Sequence, residues 1–194
     1  MQLKEENMSK SQLRTHFDEM RRGLSRDYRQ KMSIEIQSRL LCSEEYSKAD
    51  MVLTYVSQDF EPDTWGLIHA AFANSKRVAV PKCTEGNNME FYFIKSSADL
   101  TKGKYGLLEP DTVKCKKATP TDKSLCVVPA LSFDAKGFRL GRGGGYYDRF
   151  LNSFKGKSAG FCYNSFLRLT LPKEDYDMPV DIIVTENFLR EIKP

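Results

Sequence analysis

The sequence predicts a single α/β domain with a largely parallel central sheet and an N-terminal helical pair. Three observations carry that expectation. The chain has 194 residues, of which 40% are hydrophobic and 29% charged, the composition of one soluble globular core. From Met51 onward, short apolar runs alternate with helix-period stretches, the pattern of strands joined by crossover helices. Before Met51, two stretches carry helical periodicity and no strand pattern.

The elements follow in order. Leu13, Phe17, Met20 and Leu24 are spaced by four, three and four, so they share one helix face, with Ser9 or Ser11 as the cap. Tyr28, Met32, Ile36 and Leu40 recur every four residues and predict a helix from about Asp27 to Leu41. "MVLTYV" from Met51 reads as a buried strand, "TWGLIHAAFA" as a helix and "KRVAVPK" as a strand. In "MEFYFIK", Phe91 and Phe93 alternate with Tyr92 and Ile94, which is again a strand. The segment from about Asp99 to Lys123 is polar and rich in Gly, Pro and Thr; it reads as a long surface connection and a candidate lid. "LCVVPALSF", "KSAGFCYN" and "VDIIVTE" read as further strands, with "YYDRFLNSF" as the helix after the first of them.

Composition excludes several classes. No apolar run approaches the roughly 20 residues that span a bilayer, and the N-terminus lacks the apolar stretch of a secretion signal. A cytoplasmic protein with no membrane partner is expected. The five cysteines are odd in number and scattered, which argues for reduced thiols and against a disulfide scaffold or a zinc site. His16 and His69, the two histidines, stand beside no nucleophile. The net charge of +4 suits anionic ligands but falls short of a nucleic-acid binder, so no nucleic-acid partner is expected.

One stretch concentrates the chemistry. "LGRGGGYYDRF", Leu140 to Phe150, lies between the carboxyl end of a predicted strand and the amino end of a predicted helix, where open α/β sheets bind ligands. Glycines let the backbone approach an anion, the first helical N–H groups lack internal partners, and Arg139 and Arg142 add charge. Asp148 in the first turn would be repelled by phosphate unless a cation bridged them, which suggests Mg²⁺. A packing turn with an aspartate favoured by the helix dipole fits the same residues, and both readings stay open. Two standard motifs fail. G-x-G-x-x-G would need glycine where Tyr146 or Asp148 stands, and at Gly156-Lys157-Ser158 a phosphate loop would need glycine in place of Leu151.

The stretch "VPALSFDAKGFRLGRGGGYYDRFL", Val128 to Leu151, resembles the signature of the 5-formyltetrahydrofolate cyclo-ligase family. "KSQLR" at Lys10 to Arg14 is similar to that family's Lys-x-x-Leu-Arg, and "FEPDTW", "VAVPK", "GLLEP" and "MPVDIIVTE" follow in family order. The resemblance implies a Rossmann-like three-layer domain over residues 1–194. It implies ATP- and Mg²⁺-dependent cyclisation of 5-formyltetrahydrofolate, with or without a polyglutamate tail, to 5,10-methenyltetrahydrofolate, through a phosphorylated formyl group. A monomer is expected.

The same resemblance assigns roles. Lys10 and Arg14 would contact ATP phosphates. On a helix they lie within roughly 40° of each other and of Arg21, beside the apolar stripe. Arg139, Leu140, Gly141, Arg142, Gly143, Gly144, Gly145, Tyr146 and Tyr147 would hold the triphosphate. Arg142, Gly143, Gly144, Gly145 and Tyr146 would also border the folate, together with Val56 and Glu61. Arg142, Tyr146 and Glu61 would act in catalysis, Glu61 as base or as folate contact, and Asp148 and Asp181 would ligate Mg²⁺. "FDEM" stands where some relatives have basic residues, and Gly144 where some have lysine. Rival readings are an α/β protein for a phosphorylated sugar or coenzyme A, and a non-catalytic folate- or nucleic-acid-binding module. The first has no use for Glu61, Asp148 and Asp181 together; the second would use the basic helix and the aromatics.

Overall fold

The computed structural model describes residues 8–103 and 106–193. Its helices are α1 (Lys10–Arg22), α2 (Arg26–Leu41), α3 (Glu44–Lys48), α4 (Trp65–Ala73) and α5 (Tyr146–Leu151). Its strands are β1 (Met51–Thr54), β2 (Arg77–Cys83), β3 (Met89–Ile94), β4 (Leu100–Lys102), β5 (Leu108–Pro110), β6 (Ser124–Pro129), β7 (Ser132–Asp134), β8 (Arg139–Leu140), β9 (Lys157–Phe161), β10 (Leu167–Arg168), β11 (Ile182–Val184) and β12 (Leu189–Glu191).

Ser9, not Ser11, starts α1: its hydroxyl accepts from the Gln12 N–H while the Gln12 side chain accepts from the Ser9 N–H. Leu13 and Phe17 are buried, and Met20 and Leu24 pack on the core edge. Ser25 caps α2, whose Ile36 and Leu40 are buried. The short α3 adds a third helix before the first strand. Five residues are too few to show a period, so the sequence pattern could not reveal it.

The main sheet runs β12-β11-β9-β6-β1-β2-β3. Its five central strands are parallel, and β3 and β12 close the edges antiparallel. Strands β1 and β6 are buried along most of their length, as continuous apolar runs require when both faces are covered. From β1 the chain steps through α4 to β2; from β6 it steps through α5 to β9, in the opposite direction. Right-handed crossovers therefore place α4 and α5 on opposite faces, giving a helix–sheet–helix sandwich. The strand order reverses between β1 and β6, and a crevice opens at their carboxyl ends.

Two expectations change. "LCVVPALSF" is two strands: after Pro129 the chain leaves the main sheet, and β7 pairs with β8 and β10 in a second, three-stranded sheet. Ala130 and Leu131, at the bend, are themselves buried, so no polar residue marks the break. The connection from Asp99 to Lys123 is not a bare loop. It contains the β4–β5 hairpin, and Lys116 and Ala118 share backbone hydrogen bonds with Phe93 and Phe91 of β3. Buried Cys115 and Ala118 anchor it further, which removes the basis for reading it as a lid.

The second sheet seats against the first through Gly160 of β9, where a Cβ would collide with the Phe133 ring of β7. One cluster of buried apolar residues runs from α1 to β11. Each fully buried Val, Leu, Ile or Phe there contributes about 1.5–3 kcal/mol relative to exposure.

Candidate active site

The crevice has two walls. The glycine loop forms the first. Leu140 is buried and its carbonyl accepts from the Leu131 N–H at 2.8 Å, so it anchors the loop to the core. Gly143 and Gly145 adopt φ of 100° and 66°, conformations that glycine holds without strain. At Gly144, a Cβ would stand 2.6 Å from Tyr146 Cε2, so the missing side chain gives the Tyr146 ring its seat. Arg14 Nε donates to the Gly141 carbonyl at 2.9 Å, and Arg149 Nη2 donates to the Gly144 carbonyl. The backbone N–H groups of Arg142, Gly143, Gly144 and Gly145 have no protein acceptor among the described residues. Two of the loop's carbonyls, those of Gly141 and Gly144, are thus occupied by arginines while its donors stay available, which suits an anion.

The second wall is the segment after β1. Tyr55 hydroxyl donates to the Pro62 carbonyl at 2.6 Å, Thr64 hydroxyl to the Tyr55 carbonyl at 2.8 Å, and Tyr163 hydroxyl to the Glu61 carbonyl at 3.1 Å. These bonds fix the turn that presents Glu61, with half-buried Val56 packed on the core below it. Phe60 takes a left-handed φ of 73°, and its ring meets the Arg29 guanidinium at 4.4 Å and that of Arg22 at 5.4 Å. Glu61 Oε2 accepts from the Gln58 N–H at 3.0 Å. Burial pushes the Glu61 carboxyl above its ordinary range, against the opposing pull of that N–H and of Arg142 and Arg21.

Arg142 joins the walls. Its Nε lies 3.9 Å from Glu61 Oε1 and its Nη1 3.3 Å from Asp18 Oδ1. Burial works against ionisation of Asp18, yet Arg22 and Arg142 together hold its carboxyl below the usual value. The acidic "FDEM" stretch therefore supplies a counter-charge at the mouth. Asp18 was not singled out from the sequence, because an aspartate on a polar helix face carries no signal of its own.

Other expected residues sit elsewhere. Lys10 Nζ pairs with Asp177 at 2.6 Å, near the start of α1. Arg21 does not reach the rim: it is 1% exposed, and its guanidinium donates to the Ala130 and Leu131 carbonyls where β6 ends. Tyr147 is turned inward; its hydroxyl is buried without a partner among the described residues, and burial, then Cys126 and Glu61, pushes it well above its ordinary pKa.

Arg139 and Asp148 form an ion pair at 2.8 Å, with side chains 4% and 18% exposed. Met178 closes it, its carbonyl accepting from Arg139 and its N–H donating to Asp148. Asp181 stands at the amino end of β11 and accepts from the Ser158 N–H at 2.8 Å and hydroxyl at 2.6 Å. The structure thus gives the two carboxylates separate partners. A cation on Asp148 would meet the Arg139 guanidinium already there, so the pair as held does not fit a shared Mg²⁺ site. Among the described residues no group of three or more His, Cys, Asp or Glu side chains converges for a metal.

Fold and site together define an α/β protein with an anion-receptive glycine loop facing a part-buried carboxylate across the sheet's switch point. Residues 6–186 match the sequence profile of the 5-formyltetrahydrofolate cyclo-ligase family, and the chain belongs to that family. It is 29% identical over 171 residues to the 5-formyltetrahydrofolate cyclo-ligase of Escherichia coli K12, covering 85% of this chain and 93% of that protein. A probable 5-formyltetrahydrofolate cyclo-ligase of Schizosaccharomyces pombe is also 29% identical, with 96% and 100% covered. The structure of Aquifex aeolicus 5,10-methenyltetrahydrofolate synthetase superposes with a TM-score of 0.85 at 35% identity, covering 96% of this chain and 94% of that one.

Proposed function

We propose that this chain converts 5-formyltetrahydrofolate and ATP to 5,10-methenyltetrahydrofolate, ADP and phosphate. The observation that carries the reading is Arg142, whose Nε lies 3.9 Å from part-buried Glu61 and so links it to the anion-receptive loop. That juxtaposition suits a reaction in which a phosphoryl group moves onto a folate.

In this reading the formyl oxygen attacks the γ-phosphorus and the bond to ADP breaks, leaving an iminium phosphate at N5. The N10 lone pair adds to the formyl carbon, N10 loses its proton, and the carbon–oxygen bond breaks with phosphate as leaving group. The N–H groups of Arg142 to Gly145 and the Arg142 guanidinium stabilise charge on the moving phosphoryl group, with Arg14 and Lys10 at the nucleotide entrance. Lys10 would exchange Asp177 for phosphate. Arg139 and Leu140 support the loop from below, Tyr146 divides nucleotide from folate, and Tyr147, turned inward, supports Tyr146 from behind. Glu61, made more basic by burial, takes the N10 proton, with Val56 as an apolar wall. Mg²⁺ is expected on the nucleotide's own phosphates and waters, the usual way this ion enters phosphoryl-transfer sites. The enzyme would act as a monomer in the cytoplasm, on substrate with or without a polyglutamate tail.

The test follows ADP and the methenyl chromophore together. Both should appear in step and require 5-formyltetrahydrofolate and Mg²⁺. ADP release without folate dependence would return the site to a generic phosphate binder.

A further inference from the structure

The turn between β2 and β3 reaches across to the glycine loop. Asn87, at its tip, takes a left-handed φ of 56° and follows Gly86 at 67°. Arg149, one helical turn after Gly145, donates to the Asn87 carbonyl from Nε at 3.0 Å and from Nη2 at 2.6 Å, and Nη2 also donates to the Gly144 carbonyl. The Tyr146 hydroxyl donates to Asn87 Oδ1 at 3.3 Å, and the Arg149 guanidinium lies 5.8 Å from the Tyr146 ring centre. At Gly145, a Cβ would stand 2.9 Å from Arg149 Nη1, so that glycine leaves the guanidinium its path.

We infer that Arg149 and the Glu85–Asn87 turn form a strut that positions the glycine loop and Tyr146 for phosphoryl transfer. The physical need is entropic. Glycines occupy four of the five positions from Gly141 to Gly145, and each loses more backbone freedom on ordering than any other residue. Arg14 pins the loop at Gly141; Arg149 pins it at Gly144 against a separate element. A planar guanidinium bridges two carbonyls at once, which a lysine ammonium, a point charge on a flexible stem, does not reproduce. Arg149 is thus a positioning residue, and its role rests on the proposed placement of phosphate at this loop.

The test compares wild type with Arg149→Ala, Arg149→Lys and Asn87→Gly. For both Arg149 variants, kcat should fall by about 100-fold, the scale of a 1 Å misplacement, with the KM for 5-formyltetrahydrofolate unchanged. Asn87→Gly keeps the carbonyl and tolerates the left-handed φ but removes the acceptor for Tyr146. Its kcat should fall about fivefold, the loss of one hydrogen bond. In glycine-labelled protein without ligands, order parameters of Gly143 to Gly145 should drop from about 0.85 to below about 0.6 in Arg149→Ala. Full recovery in Arg149→Lys would reduce Arg149 to a simple charge, and unchanged order parameters would remove the strut; either overturns the inference. Absence of cyclisation by the wild type would instead count against the proposed reaction, while the order parameters still decide the strut.

Discussion

Glu61 shows how one residue's environment sets its task. Its carboxyl is held above the ordinary range by burial, so its folded pKa exceeds its unfolded value. Such a group favours folding below the unfolded pKa, about 4.3, and that benefit is lost as pH rises through the folded value. When ionised, Glu61 costs stability in exchange for basicity. Glu61→Gln should therefore raise the melting temperature at pH 7, with the gain vanishing below about pH 4, while turnover falls at least about 100-fold. The wild-type acid limb of kcat/KM should lie above the ordinary glutamate range; a melting temperature lowered by Glu61→Gln would contradict the burial argument. Asp148 is the second case. From sequence, an aspartate after glycines suggested a metal ligand, but the fold places Arg139 against it. Asp148→Asn should destabilise the protein by about 3 kcal/mol by leaving a buried guanidinium without its counter-charge. Denaturant midpoints at constant m measure this, and normal stability with a shifted Mg²⁺ titration would restore the metal role. Asp181→Asn should leave that titration where it is.

At the scale of elements, the active site depends on how the second sheet rides on the first. The β7–β8 hairpin carries the chain from the end of β6 to the glycine loop, and it lies close because Gly160 has no side chain under Phe133. Gly160→Ala should cost about 1–3 kcal/mol by overpacking and lower turnover with it, although residue 160 is no candidate for substrate contact. Thermal melts and kinetics of that variant check both, and wild-type behaviour in both would show that the sheets can separate freely. Arg21 acts at the same junction, joining α1 to the turn after β6. The helical wheel placed it beside Lys10 and Arg14, but angle alone does not tell a buried position from a rim. The missing information is which residues cover the last turn of α1, and Phe166, whose ring lies 5.3 Å from the Arg21 guanidinium, comes from more than 140 residues away.

For the whole molecule, one continuous core predicts one cooperative unfolding transition, with fluorescence and circular dichroism coinciding. ATP with Mg²⁺ should raise that stability by about 2.7 kcal/mol at a hundred times its dissociation constant; two separated transitions would divide the chain into two units. The sequence by itself determined the alternation of strands and helices, the parallel sheet, the N-terminal helices and the glycine loop, because periodicity, caps and turn residues are local properties. It also pointed to Arg142 as a charge beside the glycines, but to Glu61 as its companion only through a family resemblance, since 81 residues separate them. Tertiary structure alone decided that "LCVVPALSF" serves two sheets, that Arg21 is buried, that Asp148 answers Arg139, and that Asn87 braces the loop through Arg149. Each depends on burial or on a partner distant in the chain, and neither leaves a local trace.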